Sequence, residues 1–361
     1  MSSPGYDVIV VGAGLAGAAA AMHLSATAAV LVLEAGQPAS GASGAAAGLA
    51  NPFMGQRARP VWQMETALMA LHATLAEADA RALYRPGLLR PARDANQAAT
   101  FRDTAAHHPR HVRWLGPSEV STHWPAVHAP HGALYVEAGG ALSVPAFVRA
   151  LLAAAERRGA SLRTGTRVTA WREADGHVDV DLAGREGPAT FRTRFLILAP
   201  GDGFTAFAAL NTLPLHRVKG QVIRLALPPG LDPAALPSLA GHGYVVPEND
   251  TLVAGSTYEH RFADAGPTPE ASASIRAKAT RMLPPLASAA ILSATAGVRV
   301  TVRGTRLPLV GPLPGHRRTW VFTGLGSKGL LMAPLLAQRL PHFLRHPEAI
   351  PPELHPLTST G

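Results

Sequence analysis

The first 34 residues place the tightest constraint on this chain. Asp7-Val-Ile-Val-Val11 is a short apolar run rich in β-branched residues, the pattern of a parallel strand buried on both faces. It leads into Gly12-Ala-Gly14-Leu-Ala-Gly17 and then into an alanine-rich stretch, 18–24, that favours helix. A second apolar run, Val30-Leu-Val-Leu33, ends on Glu34. Gly12 permits the tight turn, Gly14 lets a pyrophosphate approach the backbone, and Gly17 lets the helix pack close to the strand. The pyrophosphate then meets a helix N-terminus, where free N–H groups and the macrodipole favour negative charge. Glu34 stands 20 residues beyond Gly14, where a carboxylate accepts hydrogen bonds from adenosine ribose hydroxyls and repels a 2′-phosphate. A glycine motif alone carries little weight. Here strand, turn, helix, strand and acid follow in order, and the reading is dinucleotide binding.

The next segment separates flavin from nicotinamide. Ala39-Ser-Gly-Ala-Ser43-Gly-Ala-Ala-Ala-Gly48 has little side-chain bulk, so it can wrap an extended ligand and offer it Ser43 and backbone groups up to Gly48. A flexible linker is the competing reading. Near the other end, Trp320-Val-Phe-Thr323 reads as a strand entering a second glycine turn, Gly324-Leu-Gly326-Ser-Lys328-Gly329. An apolar helix, expected over 330–344 with an interruption at Pro334, follows it. Gly326, Gly329 and Leu330 would present N–H donors at that helix start. Two such turns suit one long ligand, FAD. The first serves the pyrophosphate and the second the flavin O2/N1 edge, where negative charge develops on reduction. Lys328 either adds a positive charge there or is a solvated lysine. With no cysteine in the chain, the flavin has no thioether tether and is read as non-covalent, and no disulfide or thiolate metal site exists.

These segments resemble the D-amino acid oxidase superfamily of FAD enzymes. The likeness is greatest to its glycine oxidase branch and to the oxidase domain of the bifunctional enzyme that makes 5-methylaminomethyl-2-thiouridine in tRNA. The matching stretches are Gly12–Gly17 with Glu34, Ser43–Leu49, Val218-Lys-Gly-Gln221, Gly243-Tyr-Val-Val-Pro247, Ala254–Glu259, Gly297–Gly311 and Gly324–Leu336. The resemblance implies an α/β fold. A discontinuous Rossmann-like FAD-binding domain would comprise 1–85, 140–215 and 296–361. An inserted α+β substrate domain, 86–139 and 216–295, would be built on an antiparallel sheet.

The remaining pattern is compatible with that division. A helix is expected over 142–158, stopped by Gly159, with strands over 161–168 and 178–182. Val168, closing the first of these strands, is a candidate cofactor contact. Arg194-Phe-Leu-Ile-Leu-Ala199 is a buried strand ending at Pro200-Gly201, and the resemblance puts Gly201 beside the nucleotide. Strand-like pieces over 217–227 and 243–257 suit the roof of a substrate cavity, one helix is expected over 270–283, and the tail 347–361 is expected to fray. Residues 85–131 are the least informative, and their histidines lack metal-ligand spacing, so no metal is expected.

By resemblance, the reaction removes a hydride from a carbon bearing an amine and delivers it to flavin N5, leaving an imine that water hydrolyses. The protein must orient the substrate, and Arg is the natural clamp because its planar fork matches a carboxylate. Arg299 occupies the family position that binds the substrate carboxylate, and Arg303 matches an additional arginine of the tRNA-modifying relatives. The family commonly has Asp where this chain has Gly304. Tyr244 and Tyr258 are candidates for orienting carboxylate or amine, against the alternative of packed core tyrosines. Lys219 is placed near the flavin face beside Gly220.

The leading reading is an FAD-dependent oxidase or dehydrogenase acting on the C–N bond of a small amino acid or N-substituted glycine. The alternative substrate is the carboxymethylaminomethyl group of a tRNA wobble uridine, releasing glyoxylate. A third reading is a non-catalytic flavin-bound module. The net charge of +9 fits a nucleic-acid partner or a compositional bias toward Arg, and no dense basic tract decides between them. Hydrophobic residues make up 47% and charged residues 16%, which fits a packed globular protein. No basic leader precedes the first apolar run and no apolar stretch reaches membrane-span length, so no membrane partner and a cytoplasmic location are expected. The oligomeric state is open.

Overall fold

The computed structural model describes residues 5–184 and 187–356. The chain begins β1 (Tyr6–Val11), α1 (Leu15–Leu24) and β2 (Val30–Leu33). It continues through β3 (Leu49–Ala50), β4 (Phe53–Met54), β5 (Arg59–Pro60), α2 (Met64–Glu77), β6 (Arg85–Pro91) and α3 (Ala95–His107). Next come β7 (Val112–Leu115), α4 (Pro117–His123), β8 (Ala133–Ala141), α5 (Val144–Arg157) and β9 (Ser161–Arg163). Then follow β10 (Thr166–Ala174), β11 (His177–Gly184), β12 (Gly187–Leu198) and β13 (Leu215–Ala226). After β14 (Ser238–Ala240), β15 (Tyr244–Glu248) and β16 (Thr251–Gly255) comes α6 (Pro269–Thr280). The chain closes with β17 (Ile291–Val302), β18 (Leu309–Pro312), β19 (Thr319–Thr323) and α7 (Gly329–Phe343).

Two large sheets organise these elements. In the first, β9, β2, β1, β12 and β19 run parallel in that order, with β18 antiparallel at the edge. The early half of β12 leaves this parallel core and pairs with the β10–β11 hairpin. Every residue of α1 is buried, because α5 and α7 cover the sides that the sheet does not. Small residues make that sandwich possible: a β-carbon on Gly17 would lie 1.8 Å from the Gly12 carbonyl oxygen. A helix with no polar face is the expected consequence of such a position.

The second sheet runs β17-β13-β16-β15-β14-β6-β8-β3, with β7 also paired to β8. It is antiparallel except where β14 meets β6. Residues of α6, including Ile275 and Ala279, join Ile223, Leu225 and Leu252 in the core on one side of it. Its opposite side faces the glycine turns of the first sheet across the cavity described below.

Several expected elements are corrected. The strand expected over 161–168 is two strands, split at Thr164-Gly165, where Gly165 takes φ +63° and the chain crosses to the β11 side. The helix expected to Leu283 ends at Thr280, and Met282 and Leu283 fold back to bond the Ala279 carbonyl ahead of Pro284. Pro334 does not interrupt α7, which continues to Phe343 with Leu330–Ala337 wholly buried, so packing outweighs the one missing N–H donor. The tail was expected to fray from 347. Instead Ile350, Leu354 and Pro356 pack down, Pro356 against Gly311, and the rest of that expectation lies outside the described residues.

Candidate active site

A cavity of about 830 Å³ is lined from both sheets. On the first sheet it meets Gly12, Gly14, Glu34, Ser43, Gly48 and Gly201, together with Gly326, Gly329 and Leu330 from the start of α7. On the second it meets Gly220, Tyr244, Tyr258 and Arg299. Twelve residues singled out in the sequence for cofactor or substrate roles therefore reach one space: nine glycines and polar or apolar neighbours of the turns, and three side chains of the roof.

The turn after β1 is tied together by groups from distant segments. Glu34 accepts hydrogen bonds from the backbone of Ala13 through Oε2 and of Gly36 through Oε1, each 2.7 Å. Ser43 Oγ accepts from Leu15 N at 3.0 Å, linking the small-residue tract to the first turn of α1. That tract is not a free linker. Gly48 pairs with Leu142, and Ala42 and Ala45 pack so closely on β17 that a β-carbon at Gly297 would collide with both. Apart from its own chain neighbours, Gly14 has only Ser43 Oγ, among the described residues, within 4 Å of its β-carbon position, which leaves the backbone open to a ligand. Two helix N-termini, those of α1 and α7, thus border the same cavity, a donor set suited to an anionic ligand with two polar ends.

The roof carries one dominant cation. Arg299 lies on β17, whose register sets Arg299 beside Val218 and Gly297 beside Gly220 of β13. Its guanidinium passes over Gly220, donates to the Thr257 carbonyl at 3.0 Å, and sits 4.5 Å from the Tyr258 ring centre. Among the described residues it has no carboxylate within ion-pair distance. Tyr244 lies nearby. Burial pushes its phenol well above the usual value, with the charge of Arg299 acting in the other direction. It stays protonated and remains a hydrogen-bond donor through the neutral range. Tyr258 is 62% exposed, so it is an aromatic rim under the arginine and not a core tyrosine.

Five residues singled out in the sequence stand elsewhere. Gly17 is a packing residue behind the turn. Val168 puts its side chain into the core beneath β10–β12. Arg303 falls in the turn after β17 and lines a separate surface recess with His216 and His260. Lys328 directs Nζ to the Arg306 carbonyl at 2.6 Å instead of into the cavity, and burial followed by the charge of Arg306 lowers its pKa. Lys219 is 2% exposed on the face of β13 opposite Gly220, with Nζ 3.7 Å from Glu259 and 3.9 Å from Asp264. Strand alternation accounts for the last: neighbours on a strand point to opposite faces.

The structure adds a cavity residue that the sequence reading passed over. Arg90 of β6 is 6% exposed and donates to the carbonyls of Phe53 and Gly55. A charged residue inside the apolar run Leu88-Leu-Arg-Pro91 was the available signal.

The sequence matches the family described as FAD dependent oxidoreductase over residues 7–340. It is 31% identical, over 94% of its length, to the tRNA 5-methylaminomethyl-2-thiouridine biosynthesis bifunctional protein MnmC of Thiobacillus denitrificans, covering 56% of that protein. The chain thus spans about half the length of that bifunctional relative. It is 29% identical to glycine oxidase of Pseudomonas aeruginosa, covering 95% of this chain and 96% of that one. The crystal structure of glycine oxidase from Geobacillus kaustophilus superposes with a TM-score of 0.82 at 25% identity, covering 95% of both chains.

Proposed function

Because the chain belongs to the FAD dependent oxidoreductase family, an assignment that makes it an FAD enzyme, we propose that it oxidises the C–N bond of a small amino acid or N-substituted glycine. The observation that carries this reading is Arg299, a cation facing the cavity with no carboxylate partner among the described residues. Its guanidinium makes one hydrogen bond, to the Thr257 carbonyl, and a ring contact with Tyr258, and its planar fork fits a carboxylate.

The residues present fit the cofactor. Gly12, Gly14, Glu34, Ser43, Gly48 and Gly201, which line the cavity, would hold its nucleotide half, with Gly17 supporting the turn from behind. Gly326, Gly329 and Leu330 would offer N–H groups to its flavin end. FAD, when bound, supplies the acceptor for the two electrons and the hydrogen removed from the substrate carbon. Arg299 fixes the carboxylate and so restricts which hydrogen faces the cofactor. Tyr244, a protonated phenol, donates a hydrogen bond to the carboxylate, and the Tyr258 ring covers the opposite face of the arginine. The product imine hydrolyses to an oxo acid and a free amine. The elements of the first sheet, with α1, α5 and α7, form the cofactor-holding part in this reading, and the second sheet forms the substrate roof.

A second reading has one observation in its favour, the match of 94% of this chain to a protein named for tRNA 5-methylaminomethyl-2-thiouridine biosynthesis. There the substrate is a carboxymethylamine carried on tRNA, and the net charge of +9 serves the nucleic acid.

Anaerobic bleaching of the flavin band near about 450 nm separates the readings. Glycine, sarcosine, D-alanine, D-proline and carboxymethylaminomethyl-tRNA are each offered as reductant. Rapid bleaching by a small amino acid supports the first reading, bleaching by the tRNA alone supports the second, and a flavin that no amine reduces overturns both.

A further inference from the structure

The cavity carries a second group of cations besides Arg299. Arg90, Arg93, His242 and Lys278 all line it, and among the described residues none of the four has a carboxylate within ion-pair distance. Arg90 is the most telling. It is more than nine-tenths buried, its two Nη atoms reach only neutral carbonyls, and its Nε has no hydrogen-bond partner among the described residues. Phe101 covers it, with the guanidinium carbon 5.0 Å from the ring centre. A buried guanidinium compensated only by two carbonyls and a ring is short of a countercharge and of an acceptor.

Burial, aided by the charge of Arg93, pulls the Arg90 pKa down to about 10. Burial and then the charges of Arg281 and Arg93 likewise lower His242. Three elements supply these groups: β6 with its following turn, the loop before β15, and α6. Lys278 lies on α6 next to the buried Ala279 and, like Arg90, has no acidic partner among the described residues. Positive charge from separate parts of the chain thus converges on one end of a concave space, and like charges so gathered cost free energy unless an anion joins them.

The position relative to Arg299 sets the length of what binds. Arg299 stands on β17 and Arg90 on β6, five places apart in the second sheet. At ~4.8 Å per strand their backbones are about 24 Å apart along the sheet, less the reach of two long side chains. One small amino acid cannot touch both.

We infer that the Arg90 end of the cavity receives a second anionic group, so that the substrate is an extended carboxymethylamine with a carboxylate or phosphate at its distal end. This rests on the reading of the cavity as an amine-oxidation site with the near carboxylate on Arg299. It makes Arg90, Arg93, His242 and Lys278 determinants of substrate choice, and it separates the substrate from glycine itself.

The test uses the FAD-loaded protein and two readouts. Calorimetric titration compares linear α,ω-dicarboxylates of increasing length with monocarboxylates of the same length, and with ω-phosphono carboxylates. Tightest binding is expected for a long difunctional anion, at least tenfold over its monocarboxylate, and loss of that advantage is expected in both Arg90→Met and Lys278→Ala. Phosphonate above carboxylate would assign the distal group as phosphate, and the reverse as carboxylate. The second readout is the anaerobic bleaching rate with N-substituted glycines whose chains end in a carboxylate or in a neutral amide. The anionic compound should win by tenfold or more in the wild type, with the ratio collapsing in Lys278→Ala, a half-exposed position whose replacement leaves the Phe53 and Gly55 hydrogen bonds untouched. Equal binding of difunctional and monofunctional anions, or an unchanged ratio in both variants, overturns the inference. If dicarboxylates bind in an Arg90-dependent way while no amine bleaches the flavin, the anion site stands and the proposed reaction falls.

Discussion

Arg299 lies flat against Gly220: a β-carbon on that glycine would fall 2.0 Å from Nη2 and 2.8 Å from the guanidinium carbon. The glycine is a structural partner of the arginine, because no other residue at 220 leaves room for the guanidinium in this position. Gly220→Ala should therefore push the arginine aside without touching the glycine turns on the other side of the cavity. We expect kcat/KM for a carboxylate-bearing amine to fall about 10²-fold, the scale of an ångström-sized misplacement, with flavin content unchanged. Steady-state kinetics alongside the flavin-to-protein absorbance ratio measures both. An alanine variant with wild-type kinetics would contradict this dependence.

Behind the roof, Lys219 depends on Glu259. The Glu259 carboxylate takes hydrogen bonds from Gln221 Nε2 and Thr257 Oγ1, each 2.6 Å, and faces Lys219 Nζ at 3.7 Å. Burial raises its pKa, but the bonds from Thr257 and Gln221 and the charge of Lys219 outweigh it and leave the pKa low. Glu259→Ala strips a buried ammonium of its nearest countercharge and should cost about 3 kcal/mol in chemical denaturation. The double variant Glu259→Ala/Lys219→Met should recover much of that loss. If the double variant is as unstable as the single one, the pair is not the source of the cost.

His23 gives the fold an acid-sensitive point. It sits at 8% exposure in α1 with Nε2 3.2 Å from Thr74 Oγ1, and burial lowers its pKa from 6.5 to about 4, with Glu77 raising it and Arg158 lowering it in smaller measure. The unfolded chain binds the proton more readily, so stability is full above about pH 6.5 and is lost as pH falls toward 4. The loss attributable to this group is about 3 kcal/mol at most. Urea unfolding at several pH values between 7.5 and 4, with His23→Gln as the non-titrating reference, should show a shallower decline for the variant. Parallel curves would remove His23 from the account.

The parts of this architecture that were legible in the sequence are local. The turn at Gly12–Gly17 and the acid at Glu34 announce themselves because strand, turn and helix lie within one continuous stretch. Arg299 was found through the family pattern, whereas Gly220, which makes room for it, depends on the β13–β17 register and is invisible without it. Lys219 was misplaced for a simple reason. It adjoins a cavity glycine in sequence, and adjacency on a strand means opposite faces. Arg90 lies in a segment with no helical or strand-period signal strong enough to interpret, and its burial comes from Phe53, Gly55 and Phe101, all far from it in the chain or on another element. The ends of α6 and β9 were missed because a proline pair and one left-handed glycine decide them after the apolar pattern has already been read.

The central claim is that Arg299 orients a carboxylate so that the neighbouring C–N bond is oxidised. Stopped-flow anaerobic reduction with sarcosine, and with an N-methylamine lacking the carboxylate, in wild type and in Arg299→Ala tests it most directly. The account predicts a variant that keeps its flavin, loses about 10²-fold or more in the second-order rate of reduction by sarcosine, the scale of removing one partner of a charged pair, and is unchanged toward the amine without a carboxylate. Equal rates with sarcosine in wild type and variant, or loss of the flavin itself, would contradict it.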